Sequence, residues 1–170
     1  MRHTVKIKQP NSKMCFVCGL KNVAGLRSFF YELDNDELLA IFKPEEAHQG
    51  YPGRLHGGIA TAILDETIGR SITITNPQTV WGVTMEITVR FKHPVPLDEE
   101  VRVVGRVIKD TRLYFEGSGE ILLKDGAVAV TGRGKYLKLP IEKIANFDEN
   151  EEEWRVVPAE DDPRTVELGE

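Results

Sequence analysis

Asp65 and Glu66 stand side by side inside "GGIATAILDETIGR" (57–70), a run whose other members are almost all apolar or small. Acids are rarely placed among apolar neighbours for stability, because a charge taken out of water must be paired or hydrogen-bonded. The same run is entered through His56, Gly57 and Gly58. The first turn of a helix carries N–H groups without intrahelical partners and a partial positive charge. Two glycines would leave those groups uncovered, so an oxyanion could rest against them. A carboxylate able to act as base or nucleophile, together with an oxyanion seat, suffices for acyl transfer.

The elements that must position these groups follow from residue periodicity. A helix is expected from Gly58 to about Thr73. At about 100° per residue, Ile59, Ala60, Ile63, Leu64, Thr67, Ile68 and Ile72 cover well over half of its circumference. Such a helix is normally wrapped by the rest of its domain. The remaining wedge holds Gly58, Ala62, Asp65, Glu66 and Gly69, and its small residues would admit a ligand or another backbone beside Asp65.

Asp65 lies nearer Gly58 on this wheel and is the preferred catalytic acid. Its structural alternatives are a backbone bond across a sheet or an arginine partner. Glu66 has Arg70 at i+4 as an obvious partner and is otherwise counted with the substrate-contacting residues. His56 could serve acid–base chemistry or fix the loop by bonding a backbone carbonyl. Thr84 falls on the polar face of its strand, where its hydroxyl meets solvent or holds a water.

Around the helix the pattern is extended. "SFFYELDNDELLAIFKP" (28–44) reads as two strands about the turn Asp34–Asn35–Asp36, followed by a loop to about Leu55. From "TMEITVRFKHP" (84–94) the chain alternates with period two almost to Pro140. Met85, Ile87, Val89 and Phe91 share one expected face. Thr84, Glu86, Thr88, Arg90 and Lys92 share the other. "VRVVGRVIKD", "RLYFEGSGEILL" and "VAVTGRGKYLKL" are further strands, with Asp125–Gly126 at a tight hairpin turn. The expected class is α+β, with a curved antiparallel sheet of five or six strands around one long helix.

Composition narrows the function. The chain has 170 residues, 41% hydrophobic and 29% charged, which suits one globular domain. No apolar run is long enough to span a bilayer and no secretory leader is recognised, so a cytoplasmic location and no membrane partner are expected. Net charge is −5, but residues 141–170 hold 11 acids and 3 Lys/Arg. That leaves a mildly basic body, suited to an anionic small molecule and too weakly clustered for nucleic acid.

Residues 1–14 read as a lead-in and 141–170 as an acidic extension, solvated or draped over the body. Cys15 and Cys18 form one CxxC. A structural zinc site needs four ligands, and the histidines His3, His48, His56 and His93 show no ligand spacing. Free, semi-buried thiols and no metal are expected. A redox pair, and zinc shared across a dimer, are the alternatives.

"CFVCG…AGL", "HQGYPGRLHGGIATAILDETIG", "VTMEITVRFKHPVPL" and "GEILLKDGAVAVTGRG" together resemble the PaaI-like hotdog-fold acyl-CoA thioesterases, over roughly Cys15 to Leu139. That resemblance implies a hotdog domain at 15–140, with a long central helix wrapped by the sheet. It also implies edge-to-edge homodimers, often paired into tetramers, with active sites at the subunit interface. The implied reaction is hydrolysis of an acyl-CoA to free acid and CoA. The catalytic acid falls on Asp65, the oxyanion turn on His56–Gly57–Gly58 and the water-holding hydroxyl on Thr84. Relatives place an asparagine where this chain has Gly50, and Gln49 is the adjacent substitute. Arg90 and Lys92, with Arg112, Arg133 and Lys135, are candidate contacts for CoA phosphates. No separate cofactor is expected, since CoA belongs to the substrate. Two rival readings are a non-catalytic acyl-CoA-binding module and an enoyl-thioester hydratase. The chain shows no DNA-binding helix pair for a regulator and no acid–histidine pair fitting the hydratase.

Overall fold

A computed structural model of the chain describes residues 1–76 and 80–169. Eight strands and one α-helix follow in order: β1 (Arg2–Lys8), β2 (Phe29–Leu33), β3 (Leu38–Phe42), α1 (Gly57–Arg70), β4 (Trp81–Phe91), β5 (Val101–Asp110), β6 (Tyr114–Leu122), β7 (Val128–Leu139) and β8 (Thr165–Glu167). They form one sheet in the order β4-β7-β6-β5-β3-β2-β1-β8, antiparallel at every pairing. A single 3-10 turn, Ser71–Ile74, extends α1.

The expected count of five or six strands is therefore corrected to eight. The two additions come from the segments read as lead-in and tail. Polar residues at every other position (Arg2, Thr4, Lys6 and Lys8) made β1 read as a solvated lead-in, yet its inward residue His3 is buried. β8 has only three residues, too few to leave a period. The acidic extension is draped over the body and paired with it. β8 lies on β1, Arg155 bridges Asn11, and Val166 and Leu168 are buried. Lys8 pairs with Asp162 and Lys21 with Glu153. Part of the positive charge of the body is thus answered by the chain's own tail.

The helix lies against the inner face of the sheet because that face is cut down to glycine where the two meet. A Cβ on Gly105 would stand 2.8 Å from the Thr67 carbonyl oxygen, and one on Gly117 2.5 Å from Ile68 Cγ2. Any side chain there would push α1 outward, and interiors this tightly packed have no slack to absorb the shift. Ile63, Leu64 and Ile68 of α1 are fully buried against Phe30, Leu38, Val103, Phe115 and Ile121. Among the described residues no helix is long and apolar enough to cross a membrane.

Candidate active site

His56 is the N-cap of α1 and holds an extended backbone, φ −64° and ψ 134°. Its Nδ1 accepts the Gly58 N–H at 2.9 Å, so the histidine caps the helix rather than binding a carbonyl as expected. The proton of the neutral ring then sits on Nε2. The N–H groups of Ile59 and Ala60 both reach the His56 carbonyl, at 3.0 Å. No hydrogen bond among the described residues uses the Gly57 N–H. The two-glycine seat expected from the sequence therefore narrows to one amide, that of Gly57.

Asp65 stands two turns further along α1. Thr84 Oγ1 donates to its carboxylate, 2.9 Å from Oδ1 and 3.0 Å from Oδ2. The Tyr136 hydroxyl reaches Oδ1 at 3.1 Å. No cation pairs with Asp65 among the described residues. Burial pushes the Asp65 carboxyl above its ordinary pKa, the bonds from Thr84 and Tyr136 pull it back, and the neighbouring Glu66 adds to the rise. This is a carboxylate held oriented and partly desolvated without being neutralised, the state required of a base.

Thr84 reaches Asp65 because β4 breaks its alternation. Opposite β7, Thr84 faces Tyr136 while Glu86 faces Lys135, so Met85 is the extra residue of a bulge. The bulge turns Thr84 toward the helix, although strict alternation put it on the polar face. Re-aiming a side chain is a usual effect of a bulge. Tyr136 was missed altogether. It is 1% exposed, stacked on Phe115 with ring centres 4.9 Å apart. Its ring lies over Gly69, where a Cβ would come within 3.2 Å. The small residue beside Asp65 thus makes room for Tyr136, and the spacing Gly132, Gly134, Tyr136 on β7 was the available signal.

The remaining expectations divide. Glu66 is bound to Arg70, Nε to Oε1 at 2.9 Å, and accepts from Cys15 Sγ at 3.1 Å, which takes it out of the substrate-contacting set. Gly50 lies against His56, with its missing Cβ 3.2 Å from His56 Cα. Gln49 is exposed, and its Oε1 accepts the Gly53 N–H at 3.3 Å. Arg90 is exposed on the outer sheet face, in a cleft with Thr88, Ser118, Glu120 and Arg133. Lys92 is exposed just beyond the end of β4. The structure does not bring either cation to Asp65.

Removing the Thr84 hydroxyl should have a readable effect. That bond favours the charged form of Asp65. Thr84→Val should therefore raise the Asp65 pKa further, moving the acid limb of the pH–rate profile to higher pH. A limb that stays in place or moves to lower pH would show that Thr84 does not support the charge.

Comparison with known proteins agrees with this geometry. Residues 52–130, from the loop before α1 to the start of β7, match the Thioesterase superfamily. The chain is 28% identical over 88 residues to human acyl-coenzyme A thioesterase THEM5, covering 51% of this chain and 34% of that protein. It is 25% identical over 99 residues to mouse acyl-coenzyme A thioesterase 13, covering 58% and 70%. The match thus spans about a third of the human relative's length. The structure of the E. coli PaaI protein from the phenylacetic acid degradation operon superposes with a TM-score of 0.60 at 15% identity, covering 67% of this chain and 80% of that one. The chain thus carries a segment similar to the Thioesterase superfamily, on a hotdog fold shared with the PaaI structure.

Proposed function

We propose that the protein hydrolyses the thioester of an acyl-CoA, in a site shared by two subunits. The observation that carries this reading is the Asp65 carboxylate, held by Thr84 and Tyr136, desolvated, and without a cationic partner among the described residues. Similarity to two acyl-coenzyme A thioesterases supports the substrate class.

One subunit cannot supply the whole site. Gly57 and Asp65 are eight residues apart on one helix, about 12 Å along its axis. A thioester carbonyl must lie about 3 Å from its oxyanion donor while its carbon is within about 3.5 Å of the attacking atom. Gly57 of one subunit therefore works with Asp65 of the other. β4 supports such pairing. It is a sheet edge of 11 residues, whereas the opposite edge, β8, has three. Met85 and Phe91 on β4 are 57% and 55% exposed, and a long edge bearing apolar side chains invites another strand. Two β4 strands pairing antiparallel give the homodimer, and two dimers a tetramer.

In the reaction, Asp65 takes a proton from water held by Thr84, and the water oxygen attacks the thioester carbon. The Gly57 N–H receives the negative charge that develops on the carbonyl oxygen. The carbon–sulfur bond then breaks. CoA leaves as a thiolate, and thiols of pKa about 8.5 need no strong general acid. Phosphates of CoA fall to surface cations, among which Arg90 and Arg133 share a cleft.

The test is release of free thiol from short, medium, long and aromatic acyl-CoAs. Turnover of at least one is expected. Binding of acyl-CoA without thiol release from any of them would favour the non-catalytic module instead.

A further inference from the structure

We infer that Cys15, Cys18 and Glu66 form a binding site for a single zinc ion, at the foot of α1 and outside the thioesterase centre. The two thiol sulfurs and a Glu66 carboxylate oxygen lie within 4.8 Å of one another. A tetrahedral zinc, about 2.3 Å from sulfur and about 2.1 Å from oxygen, sets its donors about 3.5–3.8 Å apart. The three atoms would close on a cation by side-chain movement of less than about 1 Å each. Glu66 already stands 3.1 Å from the Cys15 sulfur.

The loop is shaped to hold the thiols together. Cys15 to Gly19 folds into a tight turn in which the Gly19 N–H bonds the Cys15 carbonyl at 2.8 Å. A Cβ on Gly19 would stand 2.4 Å from that same oxygen, so only glycine closes the turn. The Val17 N–H points at Cys15 Sγ, 3.4 Å away, and so holds that sulfur within the turn. Asn11, 1% exposed, donates to the Cys18 carbonyl at 2.8 Å. Outer contacts of this kind fix metal ligands and tune their charge.

Charge and softness decide the ion. Once both thiols release their protons to a metal, two thiolates and one carboxylate would stand together, with Arg70 as the one cation hydrogen-bonded to the group among the described residues. A divalent ion makes the cluster neutral. Sulfur donors select zinc over magnesium or calcium. Cys15 and Glu66 are only partly buried, so water supplies the fourth ligand. The sequence alone hid this site because the third donor lies 48 positions after Cys18.

The experiment uses the full chain, reduced and stripped with a chelator, then titrated with Zn(II) alone and separately with Co(II). One equivalent of zinc per chain is expected, with thiolate-to-cobalt charge-transfer absorbance in the Co(II) form. Cys15→Ser and Cys18→Ser should each abolish stoichiometric uptake, and Glu66→Gln should weaken it about tenfold or more. Where a serine variant fails to fold, the Co(II) spectrum of the native chain decides. Substoichiometric zinc in the reduced chain, zinc retained without either thiol, or a cobalt spectrum without thiolate bands would overturn the assignment. None of these readouts depends on thioesterase activity.

Discussion

Asp65→Asn should lower turnover by about two to four orders of magnitude, the range that a positioned base contributes, while the chain stays folded. The amide keeps the shape of the side chain and can still bond the Thr84 and Tyr136 hydroxyls, but it cannot take a proton from water. Stability should move the other way. Burial raises the Asp65 pKa in the fold, so the folded chain holds that proton more tightly than the unfolded chain does. The ionised carboxylate therefore costs stability above the raised pKa, and the cost fades as pH falls through it. At neutral pH the Asp65→Asn chain should melt at the same temperature or higher, as is common where a site is strained for function. Thiol-release kinetics with a thermal melt check both. Unchanged turnover in a folded Asp65→Asn chain removes the assignment. A severe loss on Glu66→Gln beside a mild one on Asp65→Asn would move the role to the other acid.

Much of the scaffold was legible because its signals are local. The apolar helix wheel, the turn at Asp34–Asp36 and the glycine at the Asp125–Gly126 hairpin place α1, β2, β3, β6 and β7 without knowledge of any contact. β5 and β7 match the expected strands residue for residue. What escaped depends on distant pairing. β1 is held between β2 and β8, and β8 has only β1 beside it and three residues, too few to carry a pattern. Opposite charge was visible in the lead-in and the tail, but not that Lys8 would meet Asp162.

The candidate site shows the same division. Asp65 and the glycine turn could be singled out from type and spacing along one helix. The partners of Asp65 could not, since Thr84 arrives through a bulge and Tyr136 from β7, whose rank in the sheet is next to β4. A bulge shifts every later side chain to the other face, so a strict period-two reading must fail beyond it. His56 was placed at the helix entrance, yet its choice of the Gly58 N–H follows from backbone angles that composition does not state. That choice alone singles out Gly57 as the free donor.

Gly57→Pro should remove the oxyanion donor and little else. Proline has no N–H, and the first position of a helix is where it is best tolerated. Gly57 occupies that position. The residue before a proline must be extended, and His56 already is, at φ −64° and ψ 134°. An added Cβ would meet only the Phe91 ring, at 3.5 Å, an ordinary contact. The Gly58 N–H and its bond to His56 are left in place. Loss of one such donor typically costs about a hundred- to a thousandfold in kcat, and that fall is expected here. Gly57→Ala is the matched control. It adds the same carbon but keeps the N–H, so its kcat should stay within a few-fold of the parent chain, by the same reasoning. A KM raised equally by both variants would report crowding at Phe91. Full turnover by a folded Gly57→Pro chain would mean that the developing charge is held elsewhere, since no other change to this helix end deletes that amide proton alone.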